Sequence, residues 1–124
     1  MPQLRPLISI VDDDESVRES LPDLLKEFGF ASRAFSSARE FLASDVPEKT
    51  SLLILDINMS GMSGPELWHE LTHRGINIPV LFITAVRDEA LRSRLIREGA
   101  VGCLFKPFND TALLDALSAV LRVS

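Results

Sequence analysis

The fold of this chain is decided by the stretch Leu52-Leu53-Ile54-Leu55-Asp56, an apolar run that ends in a carboxylate. A continuous apolar run of this length is typical of a parallel strand that is buried on both faces of its sheet. An acidic side chain on its last residue lies where the sheet meets water, which is the edge at which open α/β sheets bind ligands. The stretch therefore predicts a buried strand with a functional residue, Asp56, at its end.

Three other apolar runs also end in polar side chains. They are residues 8–11, which lead into Asp12, Asp13 and Asp14, residues 79–83, which lead into Thr84, and residues 101–105, which lead into Lys106. Because the carboxyl ends of parallel strands meet at one edge of a sheet, we expect these side chains to lie beside Asp56.

Together these side chains favour the handling of a phosphoryl group. Clustered carboxylates repel one another unless a cation lies between them, and hard oxygen ligands suit Mg²⁺ or Mn²⁺. Lys106 offers a compact positive charge, and Thr84 offers a hydrogen-bond donor, to the oxygens of a phosphoryl group whose predicted acceptor is Asp56. Simpler interpretations stay open at this point, since the acidic triplet and Thr84 could cap helices and Lys106 could lie in a solvated turn.

Hydrophobic periodicity alternates strand and helix along the chain. Strands are predicted at 7–11, 31–35, 52–56, 79–83 and 101–105. Helices are predicted at 15–28, after the capping box Ser37-Ala38-Arg39-Glu40, from Pro65 to just before Gly75, at 87–98, and after the cap Asn109. Pro22 is expected to bend the first helix, or to make a turn irregular, because it removes one helical hydrogen bond. The pattern predicts a doubly wound α/β fold, (βα)5, with a five-stranded parallel sheet.

Composition indicates one domain over residues 1–124, since 46% hydrophobic residues suffice for a core and 25% charged residues are ordinary for a globular chain. A net charge of -5 disfavours broad nucleic-acid binding by this chain, because phosphate backbones attract basic surfaces. The single cysteine excludes an internal disulfide, and no apolar stretch approaches the roughly 20 residues of a membrane span. Residues 1–5 lack the apolar core of a signal peptide, so we expect a cytoplasmic protein without membrane attachment.

These motifs resemble the receiver domain of two-component response regulators, in the family's order and over nearly the whole chain. The matching segments are Val11-Asp12-Asp13, Leu55-Asp56 with Met59 and Gly64, Ile83-Thr84-Ala85, and Phe105-Lys106-Pro107-Phe108. The FixJ-like subgroup is similar in Asp14-Glu15, in Gly61-Met62-Ser63-Gly64 and in Gly99-Ala100-Val101-Gly102. The resemblance implies a flavodoxin-like, CheY-like fold with strand order 2-1-3-4-5.

The resemblance further implies an aspartyl-phosphate switch that catalyses its own phosphorylation and slow dephosphorylation, and is not an enzyme in the ordinary sense. Asp12, Asp13, Asp56 and the backbone carbonyl of Asn58 would hold Mg²⁺, with Mn²⁺ possible. Asp56 would take the phosphoryl group, and Thr84 and Lys106 would bind its oxygens. The switch would include Thr84, Cys103 and Pro107, with a cis peptide bond between Lys106 and Pro107.

The resemblance also implies partners. A sensor histidine kinase would supply the phosphoryl group, and phosphorylation would promote a homodimer through the face of the fourth helix, fifth strand and fifth helix. DNA would be bound only by a separate output domain. Charged residues on that face could form reciprocal ion pairs between the two subunits, or could simply be solvated. They are Arg87, Arg92, Arg94, Arg97, Asp88, Glu89, Asp110 and Asp115.

Two residues depart from the family pattern. Cys103 stands where the family usually has Tyr or Phe, an aromatic side chain that moves inward when the threonine moves. Cysteine cannot fill that volume, so either Phe105 or a loop side chain replaces the aromatic ring, or the coupling differs. Ser60 stands where the family usually has Pro, which predicts a freer loop beside Asp56.

Two enzyme classes share part of this pattern and are alternatives to this interpretation. The segment from His69 to His73 matches the zinc-peptidase pattern H-E-x-x-H, but a third ligand would have to be a carboxylate such as Glu89 or Glu98. A haloacid-dehalogenase-like phosphatase also uses a strand-end aspartate with Mg²⁺. It requires a second aspartate two residues later as general acid, and here that position is Asn58.

Overall fold

Five parallel strands form the sheet in the computed structural model, which describes residues 6–121. They are β1 (Leu7–Val11), β2 (Ala31–Phe35), β3 (Leu52–Asp56), β4 (Val80–Thr84) and β5 (Gly102–Phe105). The sheet order is β2-β1-β3-β4-β5, so the predicted fold class and strand order are confirmed. The expectation for residues 1–5, that they form no signal peptide, lies outside the described residues.

Five helices connect and cover the strands. They are α1 (Glu15–Glu27), α2 (Ala38–Ala43), α3 (Gly64–His73), α4 (Glu89–Arg97) and α5 (Asp110–Val120), and a short 3₁₀ turn covers Pro47–Lys49. The fourth helix begins two residues later than predicted, because the Asp88 side chain accepts the N–H of Leu91 at 3.0 Å and acts as its N-cap. Among the described helices, none combines the length and the apolar character that a bilayer crossing requires.

Two local predictions concern the first and second helices. Helix α1 includes Pro22, which lies between the buried Leu21 and Leu25, and the bend expected there stays a prediction. The predicted capping box at Ser37 is only half formed: Ser37 Oγ accepts the N–H of Glu40 at 3.1 Å, but Glu40 accepts from Ser36. A complete capping box forms instead at Ser63 and Glu66, at the start of α3.

The core lies in two apolar layers, one on each face of the sheet. Alternate residues of each buried strand face opposite layers, as Leu53 and Ile54 of β3 show. Helices α1 and α5 cover one face, and α2, α3 and α4 cover the other. Every residue of β3 and β4 is buried, so the polar groups at their carboxyl ends are held by rigid backbone.

Candidate functional site

The carboxyl edge of the sheet brings together the polar strand ends that the sequence predicts. Asp56 closes β3 and Thr84 closes β4, and they are 5% and 3% exposed. Asp12 follows β1 and is fully buried, with its N–H donating to the carbonyl of Phe35 at 3.1 Å. Lys106 follows β5 and donates its N–H to the carbonyl of Thr84 at 2.7 Å. The strand ladders therefore continue one residue into the site and fix its backbone.

Three carboxylates at this edge form a candidate metal centre. One oxygen each of Asp12, Asp13 and Asp56 lie within 4.8 Å of one another. Asp12 Oδ1 accepts the N–H of Asp14 at 2.9 Å, and its buried Oδ2 faces the site and has the Lys106 ammonium as its close neighbour. Three carboxylate oxygens this close together, one of them fully buried, fit a hard divalent cation such as Mg²⁺.

Lys106 provides positive charge beside this cluster. Its Nζ atom lies 2.8 Å from Asp12 Oδ2 and 3.8 Å from Asp56 Oδ1, and its side chain is 17% exposed. Burial acts to lower the pKa of Lys106, but the hydrogen bond and charge of Asp12 outweigh burial, so the pKa is raised. The ammonium group is therefore a fixed cation between two of the carboxylates.

Asp56 has the most perturbed acidity of the site. Burial raises the pKa of Asp56 to about 7, the neighbouring charge of Asp12 adds to this, and Lys106 opposes it. Without a bound cation, a substantial share of Asp56 therefore carries a proton at neutral pH. A cation between the carboxylates would favour the charged form, which is the form that acts as a nucleophile.

Helix capping, the simpler interpretation of these polar residues, applies to Asp14 but not to Thr84. Asp14 is the N-cap of α1, where its Oδ1 accepts the backbone N–H of Ser16 at 3.0 Å. Thr84 does not cap α4, because its Oγ1 instead accepts the N–H of Val86 at 3.1 Å. The Thr84 hydroxyl keeps its proton for another acceptor. Asn58 is exposed in the loop after β3, and the use of its carbonyl as a metal ligand stays a prediction.

A groove leads from solvent to Lys106. It has a volume of about 740 Å³ and lies between α1 and the segment after β5. Apolar side chains, including Val17, Leu24 and Phe108, line it together with Lys106 and Pro107. The Lys106-Pro107 peptide bond is cis, as the resemblance implies. The groove therefore opens the Lys106 side of the site to solvent beside α1.

Several contacts at the site have no signature in the sequence. Arg18 of α1 donates from Nη1 to the carbonyl of Asp12 at 3.0 Å and so holds the end of β1. The guanidinium carbons of Arg87 and Arg92 lie 5.3 and 5.4 Å from the ring centroid of Phe105. The charge pattern marks these arginines as surface residues, and only the folded geometry places them against an aromatic ring.

Gly64 touches the back of the site, because a Cβ atom there would overlap the carbonyl oxygen of Asp56. Gly64→Ala is expected to lower the free energy of unfolding by about 1 to 3 kcal/mol, since α3 or the end of β3 must move. Urea unfolding measures the change. Gly102→Ala is the matched control, because its Cβ would meet Leu81 at an ordinary 3.4 Å. Equal losses in the two variants would contradict the proposed contact.

The H-E-x-x-H segment lies elsewhere and lacks the arrangement of a peptidase. His69 and His73 are exposed on α3. Glu70, the residue that would act as base, is bound to Arg74, with Oε2 2.7 Å from Nε. Among residues 6–121, the acidic cluster at the sheet edge is the group that offers three close metal ligands, and the histidines are not part of it.

Comparisons with known proteins agree with this architecture. Residues 8–118 match the response regulator receiver domain family. Nodulation protein W of Bradyrhizobium diazoefficiens is 43% identical over 93% of this chain and 51% of its own length. Transcriptional regulatory protein FixJ of Azorhizobium caulinodans is 39% identical over 98% of this chain and 57% of its own length. The chain thus spans about half the length of these curated relatives.

Solved structures show the same arrangement of strands and helices. The crystal structure of FixJ-N superposes with a TM-score of 0.81 at 35% identity, covering 98% of this chain and all of that one. Chemotaxis protein CheY4 of Vibrio cholerae superposes with a TM-score of 0.84 at 28% identity, covering 95% of this chain and all of that one. The chain therefore belongs to the response regulator receiver domains of two-component systems, within the FixJ-like subgroup, and has their CheY-like fold.

Proposed function

We propose that this domain is a Mg²⁺-dependent phosphoacceptor switch, in which Asp56 takes a phosphoryl group from a sensor histidine kinase. The observation that carries the proposal is the position of Asp56 at the end of a buried strand, within 4.8 Å of two other carboxylate oxygens and 3.8 Å from the Lys106 ammonium. A nucleophile, a cation site and a fixed positive charge are the parts that phosphoryl transfer requires.

Asp12, Asp13, Asp56 and the Asn58 carbonyl are the proposed metal ligands, for Mg²⁺ or alternatively Mn²⁺. When bound, the ion neutralises the carboxylates and offsets negative charge on the phosphoryl oxygens. The surrounding residues support a hard cation, because the donor atoms are all oxygens and three of them belong to carboxylates that lie within 4.8 Å of one another.

In the proposed transfer, an oxygen of Asp56 forms a bond to phosphorus while the phosphorus–nitrogen bond of the donor phosphohistidine breaks. The bonding electrons return to the imidazole nitrogen, which leaves without a general acid, in keeping with Asn58 two residues after Asp56. Lys106 stabilises charge on the transferred group, and the Thr84 hydroxyl donates to one of its oxygens. The groove beside Lys106 gives the donor its approach.

The proposal is tested by intact-mass measurement after incubation with acetyl phosphate, a small acyl-phosphate donor. One added phosphoryl group is expected with Mg²⁺ present and none after chelation. Absence of an added group under every condition would overturn the proposal and would point to a docking domain that works without phosphorylation.

The switch is proposed to start at Thr84 and to pass through Phe105. When the Thr84 hydroxyl turns toward the phosphoryl group, its bond with the Val86 N–H is lost and the loop before α4 is released. Phe105 pairs with Thr84 across β4 and β5 and carries the guanidinium groups of Arg87 and Arg92 on its ring. Cys103 is 2% exposed and small, so Phe105 is the aromatic side chain that can follow the movement.

The face of α4, β5 and α5 is the proposed dimer surface. Ile96 of α4 and Val86 before it are exposed by 43% and 56%. The predicted ion pairs are partly satisfied within α4, since Arg92 lies 3.6 Å from Glu89. Such exposed pairs contribute about 0 to 1 kcal/mol, so they can exchange partners across an interface at little cost.

Addition of beryllofluoride and Mg²⁺ is expected to convert monomer into dimer, because the mimic of the phosphoryl group stabilises the switched α4 face. Sedimentation velocity measures the shift. Asp56→Asn should stay monomeric, and Ile96→Glu should accept a phosphoryl group but not dimerise. One unchanged species of the wild type with and without beryllofluoride would contradict the prediction.

The proposed output is transcriptional and lies in a separate DNA-binding domain of a cytoplasmic regulator. Two observations support this: FixJ is named a transcriptional regulatory protein, and this chain covers 57% of its length. The net charge of -5 disfavours DNA binding by the receiver itself. That residues 1–124 form one domain remains part of the same proposal.

A further inference from the structure

Two histidines on α3 lie outside the phosphoacceptor site. His69 and His73 are four residues apart and both exposed. This spacing places their side chains on the same face of the helix, one turn apart, with Cβ atoms about 5 to 6 Å from each other. Two imidazoles at this spacing can bind one divalent ion together, as they do in H-E-x-x-H sites.

The histidine pair forms the shared wall of two shallow grooves. One groove is bordered by Trp68, Thr72 and Glu98, and the other by Met62, Glu66 and Glu70. Glu66 and Glu70 are already engaged, by the cap at Ser63 and by Arg74 respectively. Within residues 6–121, the ion-pair partner of Glu98 is Arg94 at 3.7 Å, and the Glu98 side chain is 44% exposed, so its carboxylate has room to turn.

We propose that His69 and His73 chelate a borderline transition-metal ion, Zn²⁺, Ni²⁺ or Cu²⁺, and that the Glu98 carboxylate at the end of α4, which lines the same groove, turns toward the ion as an oxygen ligand. Imidazole nitrogens select these metals, whereas the all-oxygen cluster at the sheet edge suits Mg²⁺. The two sites are thus separate in place and in chemistry. No hydrolysis is part of the proposal, because Glu70 is bound to Arg74 and not available as a base.

The proposed site would connect α3 with α4. Glu98 is the C-cap residue of α4, so an ion held by all three ligands would tie the end of that helix to the face of α3. Helix α4 begins on the loop that the proposed phosphorylation switch releases. The proposed metal site therefore shares no ligand with the acidic cluster. Both metal binding and the proposed phosphorylation switch are nevertheless expected to act on α4.

Trp68 provides a direct readout. It is the single tryptophan of the chain, and its ring centroid lies 6.5 Å from that of His69. Paramagnetic Ni²⁺ bound to His69 should quench the fluorescence of Trp68. Titration at pH 8, where free imidazole is neutral, is expected to give saturable quenching that fits a single site near Trp68, reversed by an excess of diamagnetic Zn²⁺.

Three variants test the ligands. His69→Gln and His73→Gln should each weaken Ni²⁺ binding by at least about tenfold, and Glu98→Gln should weaken it less. Asp13→Asn, in the acidic cluster, should leave the titration unchanged. Failure to saturate, equal affinity in the His73→Gln variant, or loss of quenching in Asp13→Asn would each overturn the proposal. Phosphorylation of Asp56 is not needed in any arm, so failure here leaves the proposed function untouched.

Discussion

Phosphoryl incorporation is expected to fall below detection when Asp56 is replaced by Asn. The amide cannot attack phosphorus, and no other carboxylate among the described residues lies at a strand end within 4 Å of the Lys106 ammonium except Asp12, which Lys106 already holds at 2.8 Å. Intact-mass measurement after incubation with acetyl phosphate and Mg²⁺ tests the expectation. The wild type should gain one phosphoryl group and Asp56→Asn none.

A matched control separates the acceptor from a general effect of removing negative charge. Asp23→Asn changes the same chemical group on the exposed side of α1 and should leave incorporation at the wild-type level. Incorporation into Asp56→Asn at a comparable level would show that another residue, with Asp12 and Asp13 the first to examine, accepts the group. The proposed mechanism would then be wrong at its central step.

The strand ends were predictable because the chemistry and the periodicity coincide there. Where an apolar run stops at Asp56 or Lys106, the same residue indicates the end of the strand and the chemical group that lies at the carboxyl edge of the sheet. The bounds of β1, β2 and β3 were predicted to the residue. For β1 and β3 the reason is burial on both faces, which leaves a nearly continuous apolar run.

Other features could not be predicted because they depend on contacts between distant elements. The bond from Arg18 to the carbonyl of Asp12 joins α1 to the end of β1, and nothing in the local pattern specifies it. The placement of Arg87 and Arg92 on Phe105 needs the β4 and β5 register. Local signals also compete. The fourth helix was predicted to begin at residue 87, but Asp88 is a strong N-cap and the helix begins at Glu89.

In the metal-free protein, Asp56→Asn is expected to raise the free energy of unfolding at neutral and higher pH. The pKa of Asp56 is raised from 3.8 to about 7 by burial and by the charge of Asp12. Between these two values the folded protein holds a proton that the unfolded chain has released. Stability from this group is therefore complete below pH 3.8 and is lost as pH rises through 7.

The size of the effect follows from that shift. Each pKa unit corresponds to about 1.4 kcal/mol, so the charged Asp56 costs the folded state at most about 4 kcal/mol above neutral pH, and the neutral amide avoids most of it. Urea unfolding in the presence of a chelator should show that the free energy of unfolding of Asp56→Asn increases relative to that of the wild type as the pH rises from 5 to 8. The difference in free energy of unfolding between the two proteins should shrink when Mg²⁺ is added, because the ion stabilises only the protein that keeps the Asp56 carboxylate. A pH-independent difference would show that packing and not charge separates them. The predicted slope therefore tests whether the charged form of the buried Asp56 destabilises the fold, a cost that a bound cation would relieve.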